Sequence, residues 1–436
     1  MLIQGVVFFY DKMDELVAIP LILILGGGTA YFLGRKYRED SEFEVGIFQL
    51  AFSARILVGM VFYGWDLSKT FGDEDSAGYI GGWVMAQHWY RNGIDAFLTD
   101  VFTVFFDKQN IGQFVIWGIP MFFAGGPSRI MVSVINSFAG ALLVIVVYRM
   151  SRKIFDPDTA RKAAVLVACW PSMILLSAGT SKEMLVILFE WSLLYFAIRN
   201  SEGLRPNDGV ASIPALLALY VTRFYALYMV VAAFAIRIIT SGRKHLVRNA
   251  ILGTIVLGSV MVMLGTSGVV NRDFDIFDRR SRSMESWREN VAETTGTGVN
   301  IYAEYEGSVS IPVAAAYFFL APFPWEIFNG SLRSSFAAVE NIAILVILIM
   351  GFPALKIFFK DKLREMLPIF VFCGIYAGFH IWGLVNVGLA WRHKQTVMPM
   401  FFMLVALGIT QRKKGWEIIS RRFKRRGELV RIQSAG

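Results

Sequence analysis

Apolar residues recur along this chain in runs of about 18 residues, broken by short polar loops. That spacing fits helices that cross a membrane. The runs lie at about 17–34, 45–65, 129–149, 163–179, 184–199, 209–222, 224–240, 249–267, 334–358, 367–385 and 396–410. They predict an all-α integral membrane protein, a polytopic bundle of about 11 transmembrane helices. Gly26-Gly27-Gly28 in the first run allows close helix packing. The stretch 78–92 is rich in Gly, Trp and Tyr and reads as an amphipathic helix in the outer interface. The run 113–125 is short for a span, so it lies in the interface or dips in. The run 311–328 holds Pro312, Pro322 and Pro324 and reads as interfacial or re-entrant.

Composition agrees. Of 436 residues, 55% are hydrophobic and only 18% charged. The net charge of +9 would suggest nucleic acid on a soluble chain. Here the Lys and Arg cluster in alternate loops: Arg35 to Arg38, Arg149 to Lys162, Arg199 to Arg205, Arg237 to Arg248 and Lys356 to Arg364, then the tail from Arg412. Topology therefore explains the charge, and the positive-inside rule puts these segments in the cytoplasm. The amino terminus, the segment 66–127 and the segment 268–328 then face outward. This divides the chain into an extra first span and loop (1–44), a transmembrane domain (45–411) and a basic cytoplasmic tail (412–436). The polar stretch 268–310 is a candidate lid. Cys169 and Cys373 sit inside apolar runs and read as inert core residues. No cleavable signal sequence is visible, since the first residues carry Asp11, Asp14 and Glu15 rather than basic groups.

The candidate chemistry starts at Gly72-Asp73-Glu74-Asp75-Ser76-Ala77-Gly78-Tyr79, just beyond the outer end of the second span. Acid runs are usually solvated surface. A carboxylate held at a membrane face beside an amphipathic helix can also take a proton from an acceptor hydroxyl. Lys182, Arg223, Arg392, His393 and Lys394 are basic groups on the outer side, where such groups are scarce. Arg and Lys hold phosphate well; pairing with headgroups, Glu183 or Asp66 is the bland alternative. Glu190 and Glu340 lie within apolar runs and read as partners in interhelical hydrogen bonds. His88 reads as an interface anchor and His380 as a packing or hydrogen-bonding residue. The four His are too dispersed for a zinc site. The aromatic stretch Tyr317 to Glu326 reads as an interface belt. No Gly-rich phosphate loop appears, which argues against direct use of a nucleotide.

Asp75-Ser76-Ala77-Gly78-Tyr79, with Ala86 beyond, resembles the first-outer-loop Asp-x-x-x-Tyr motif of the GT-C membrane glycosyltransferases. That superfamily includes the family 39 protein mannosyltransferases and the lipid A aminoarabinose transferases. Arg55 in the preceding span, Trp170-Pro171-Ser172 with Ser177, Thr180-Ser181-Lys182-Glu183, Arg223-Phe224-Tyr225 and Arg392-His393-Lys394 with Pro399 follow in a similar order. The resemblance covers roughly 45–410 and departs in the extra first span and in lacking a large outer domain after the last span. It implies transfer of a sugar from a polyprenyl-phosphate or polyprenyl-diphosphate carrier to a glycan, lipid or protein acceptor outside the membrane. By the resemblance Asp75 is the catalytic carboxylate, with Asp73 and Glu74 beside it. Arg223, Lys182, Arg392 and Lys394 hold the donor phosphate, with Tyr79, Glu183 and His393 in support. Some members use a divalent cation and others do not; Mg or Mn here would fall to Asp73, Glu74 and Asp75. A polysaccharide polymerase or ligase acting on lipid-linked glycans is one alternative. A flippase for lipid-linked glycans is another, though no repeat of halves is visible. A prokaryotic inner membrane is the expected location.

Overall fold

The computed structural model describes residues 18–35, 40–65, 67, 78–106, 111–199, 206–240, 247, 251, 298–299, 301–305, 309–327 and 332–433. Asp73, Glu74 and Asp75, the run 249–267 and most of the 268–310 stretch lie outside them.

The named elements are helices, in the order α1 (Ala18–Arg35), α2 (Ser41–Gly64), α3 (Gly78–Phe106), α4 (Gly112–Ala124), α5 (Arg129–Ile154), α6 (Pro157–Cys169) and α7 (Pro171–Ala178). Then come α8 (Glu183–Arg199), α9 (Pro206–Thr240), α10 (Ser310–Leu320), α11 (Leu332–Ile357), α12 (Leu363–Trp382) and α13 (Val387–Gln433). Six helices among the described residues are long and apolar enough to cross a membrane, or seven if α6 and α7 count as one bent span. The outward faces of α2 and α11 carry exposed Leu50, Leu57, Ile349 and Phe352, as lipid-facing surfaces do. With the backbone satisfied inside each helix, these faces need no polar partner. The chain is an integral membrane protein.

The contacts give the helices a common direction. At one end, Glu44 of α2 binds Arg149 of α5, Asp40 binds Arg152 and Arg161, and Arg199 of α8 pairs with Asp208 of α9. Lys162 of α6 donates to Thr410 of α13 at 2.8 Å. This is the basic end. α8 then leads away from it to Glu183, which meets Arg223 of α9. Arg237, later in α9, donates to the carbonyl of Arg364 at the start of α12. α12 itself ends at Tyr376 and His380, beside Arg223 and Tyr225. So α9 leaves the basic end at Asp208, turns at Arg223 and returns by Arg237. The reversal sits where the Arg223 backbone leaves the helix, at φ −158° and ψ 76°. This bears out the reading of 209–222 and 224–240 as two arms of a hairpin.

The expected straight run 163–179 is instead broken, with α6 and α7 bent by 53°. Pro171 has no N–H, so the turn before it loses a partner for its carbonyls. Arg55, fully buried in α2, takes over. It donates to the carbonyls of Val167 and Ala168, both at 3.2 Å, and to Ser177 Oγ at 3.2 Å. Gly140 of α5 makes room: a Cβ there would lie 2.7 Å from Arg55 Nε and 2.4 Å from Ser177 Oγ. In the Gly26-Gly27-Gly28 run only Gly26 is in packing contact, against Phe52; the other two face open space. Cys169 is exposed rather than in the core, because the break turns it outward; Cys373 is buried.

α3 and α4 pack against each other at the opposite end from the basic loops. Gly81 and Gly82 of α3 lie against Phe114 and Trp117 of α4, so side chains there would collide. The expected interfacial helix 78–92 is longer, running to Phe106 through a break at Gly93, whose φ of 73° suits glycine. α4 has the 13 residues of a helix too short to cross. α10 is likewise short, with 11 residues, and a single 3-10 turn, Pro324–Glu326, follows it.

Candidate functional site

The end opposite the basic loops gathers a buried polar cluster. Its centre is Arg223, 3% exposed, placed there by the reversal in α9. Both oxygens of Glu183, in the first turn of α8, accept from Arg223 Nη2 at 2.6 and 2.7 Å. Arg223 Nη1 donates to Tyr376 Oη at 3.0 Å. Tyr376 Oη lies 3.2 Å from His393 Nδ1, and His393 lies 4.0 Å from Glu183. His380, one turn beyond Tyr376 on α12, stacks on His393 with ring centres 3.8 Å apart. Lys182 donates to the Thr222 carbonyl at 3.0 Å, satisfying an acceptor that the break at Arg223 freed from its helix. Lys182 and Arg392 both lie within electrostatic range of Glu183.

His380 and His393 open onto a cavity of about 240 Å³. Tyr225, Trp382 and Phe318 supply aromatic walls, and Asn386 a polar edge. Asn386 is fixed as the cap of α13, accepting from the backbone N–H of Gly388 and Leu389 at 2.7 and 3.2 Å. Val299 lies against the same edge, donating its N–H to the Val385 carbonyl at 2.9 Å.

The expected site residues divide into three groups. Lys182, Glu183, Arg223, Arg392 and His393 come together in the cluster. Lys394 does not. It is 1% exposed and its amine donates to Asn341 Oδ1 at 2.5 Å and to the Phe319 and Ala321 carbonyls. Those are the carbonyls left over where α10 ends, so Lys394 works as an internal cap. Tyr79 stands apart beneath Arg129, whose guanidinium lies 5.0 Å from its ring centre. Asp73, Glu74 and Asp75 lie outside the described residues. Among the described residues no group of three or more His, Cys, Asp or Glu is arranged to hold a metal.

Two members of the cluster were not read as functional from the sequence. Tyr376 carries no signal of its own in a run of apolar residues, and His380 reads there as a packing or hydrogen-bonding residue. Their spacing of four residues puts them on one helix face, and that is the signal that joins them. The expected interhelical hydrogen bond of Glu340 is present, with Ser172 of α7 as donor. Glu190 is fully buried on α8, two turns below Glu183.

Residues 110–267 match the family described as dolichyl-phosphate-mannose-protein mannosyltransferase. That segment contains α4 to α9, and with them Lys182, Glu183 and Arg223. The GT-C resemblance is thereby borne out. The match also agrees with an enzyme of glycosyl transfer. The chain also matches part of the oligosaccharyltransferase of Archaeoglobus fulgidus, solved with a tethered acceptor peptide. The TM-score is 0.37 and the identity 13%, over 70% of this chain and 42% of that one. The chain thus spans less than half of that protein's length. No curated protein matches.

Proposed function

We propose that this chain moves a sugar from a polyprenyl-phosphate or polyprenyl-diphosphate carrier to an acceptor on the extracytoplasmic side, with Asp75 as general base. The observation that carries this reading is a close approach. Gly78, three residues after Asp75, packs so tightly against the loop before Lys182 that a Cβ would lie 3.3 Å from the Thr180 carbonyl. Three residues of chain span at most about 11 Å. In this reading the acid motif works beside the loop that carries Lys182 and leads into α8.

In this reading Asp75 takes the proton from an acceptor hydroxyl as its oxygen attacks the anomeric carbon. The bond from that carbon to the carrier phosphate breaks, and the carrier leaves with the electron pair. Lys182 and Arg392 stabilise the growing negative charge on the phosphate. Arg223 is committed to Glu183 and Tyr376, so it orients the site. The aromatic and His-lined cavity holds the sugar, whose ring faces suit Tyr225 and Trp382. A single displacement inverts the anomeric carbon. A divalent cation, if used, falls to Asp73, Glu74 and Asp75.

The topology extends the same reading. Thr240 lies at the basic end and Gly298 at the opposite one, by the contacts of Arg237 and Asn386. We read the run 249–267 as the crossing that joins them, in keeping with the expected count of about eleven. The basic end is then cytoplasmic, the cluster is extracytoplasmic, and 45–411 is the catalytic domain.

The test is Asp75→Asn in purified protein supplied with a polyprenyl-phosphate sugar and an acceptor extract. Transfer should fall by about 100-fold or more with unchanged thermal unfolding. Full activity in the variant would overturn the assignment of the base.

A further inference from the structure

A second cavity, of about 540 Å³, lies at the other end of the molecule from the polar cluster. Small-molecule sites run to about 300–1,000 Å³. Four helices wall it: α1 through Leu33, α5 through Leu142 and Val146, α8 through Phe189 and Phe196, and α9 through Pro214 and Ala218. Its lining is polarised along the membrane. Arg149 and Arg199 stand at the basic mouth. Ala218 at the far end lies ten residues along α9 from Asp208, the partner of Arg199. At 1.5 Å per residue that is about 15 Å, half of the hydrocarbon core and so one leaflet deep.

The charges at the mouth are turned outward. Arg149 binds Glu44, and Arg199 binds Asp208 at 3.0 Å. In each pair the acidic side chain is 7% exposed while the arginine side chain is 32% or 37% exposed. The positive member therefore faces whatever enters. An apolar slot one leaflet deep with two guanidiniums at its polar end has the chemistry of one ligand class. We propose that it binds an anionic glycerophospholipid, with an acyl chain along α9 and the headgroup phosphate at Arg149 and Arg199. The extra first span gains a role by this: through Leu33 it closes one wall. Occupancy would then brace α1 against the bundle at a site separate from sugar transfer.

The experiment is native mass spectrometry of the full chain, delipidated in detergent and titrated with dioleoyl phosphatidylglycerol or dioleoyl phosphatidylcholine. One phosphatidylglycerol should be retained at least tenfold more tightly than phosphatidylcholine. Ala215→Trp, which fills the slot, should lose that lipid. The double variant R199Q/D208N removes one guanidinium without stranding its buried partner. It should cut the preference for phosphatidylglycerol about tenfold. Equal binding of the two lipids by the wild type would overturn the proposal. So would retention of the full preference in R199Q/D208N, which carries the test if Ala215→Trp does not fold. Displacement of phosphatidylglycerol by undecaprenyl phosphate at equal concentration would reassign the slot to the carrier.

Discussion

The two ends of this molecule use charge in opposite ways. At the basic end four arginines in ion pairs are partly wet: Arg149, Arg152, Arg161 and Arg199 are between 32% and 47% exposed. Such partly exposed pairs add little to stability. At the other end Arg223 and Glu183 are 3% and 8% exposed, with Tyr376 and His393 closing the network. Removing two ions from water is costly, and a well-packed apolar pair would often serve stability as well. Under the proposed function, the ions are kept there to orient the site. One end carries half-wet pairs and the other a buried network.

The comparison predicts a graded response to substitution. Arg223→Met leaves the Glu183 carboxylate buried without its partner. It should cost about 3–5 kcal/mol, read as a large drop in thermal unfolding in detergent. Adding Glu183→Gln should restore most of that loss, and no restoration would mean that the arginine packs rather than pairs. Arg55→Met should cost about 3 kcal/mol, because the Val167 and Ala168 carbonyls lose their donor at the α6–α7 break. Gly140→Ala should reproduce part of that defect by pushing the Arg55 guanidinium aside. His393→Phe keeps the stack on His380 but drops the contact with Tyr376. Its stability should change by about 1 kcal/mol while transfer falls, a split that assays of both would reveal. Arg152→Gln at the basic end should shift stability by less than about 1 kcal/mol. A larger effect there would erase the contrast between the ends.

Much of this architecture is legible in the sequence because hydropathy runs report burial in lipid directly. The α9 hairpin was readable from Arg223 in the middle of an apolar run, where a helix seldom leaves a guanidinium. The break at Trp170–Pro171 was less so: Pro171 announces it, yet a run of apolar residues on both sides looks continuous. The exposure of Cys169 follows from that break and was missed with it. Lys394 illustrates a deeper limit. Its place beside Arg392 and His393 suggests one cationic cluster, but successive residues on a helix point about 100° apart. Lys394 therefore reaches the carbonyls at the end of α10, while His393 reaches Tyr376. His380 stayed hidden because its meaning comes from a partner on the next helix.

The turn at Arg223 has a consequence for the whole carboxy-terminal third. Had that residue continued as helix, every later crossing would run in the reverse sense. Thr410 of α13 would then finish at the end that holds Glu183 instead of beside Lys162. A single non-helical residue thus decides at which end of the bundle the last helix finishes.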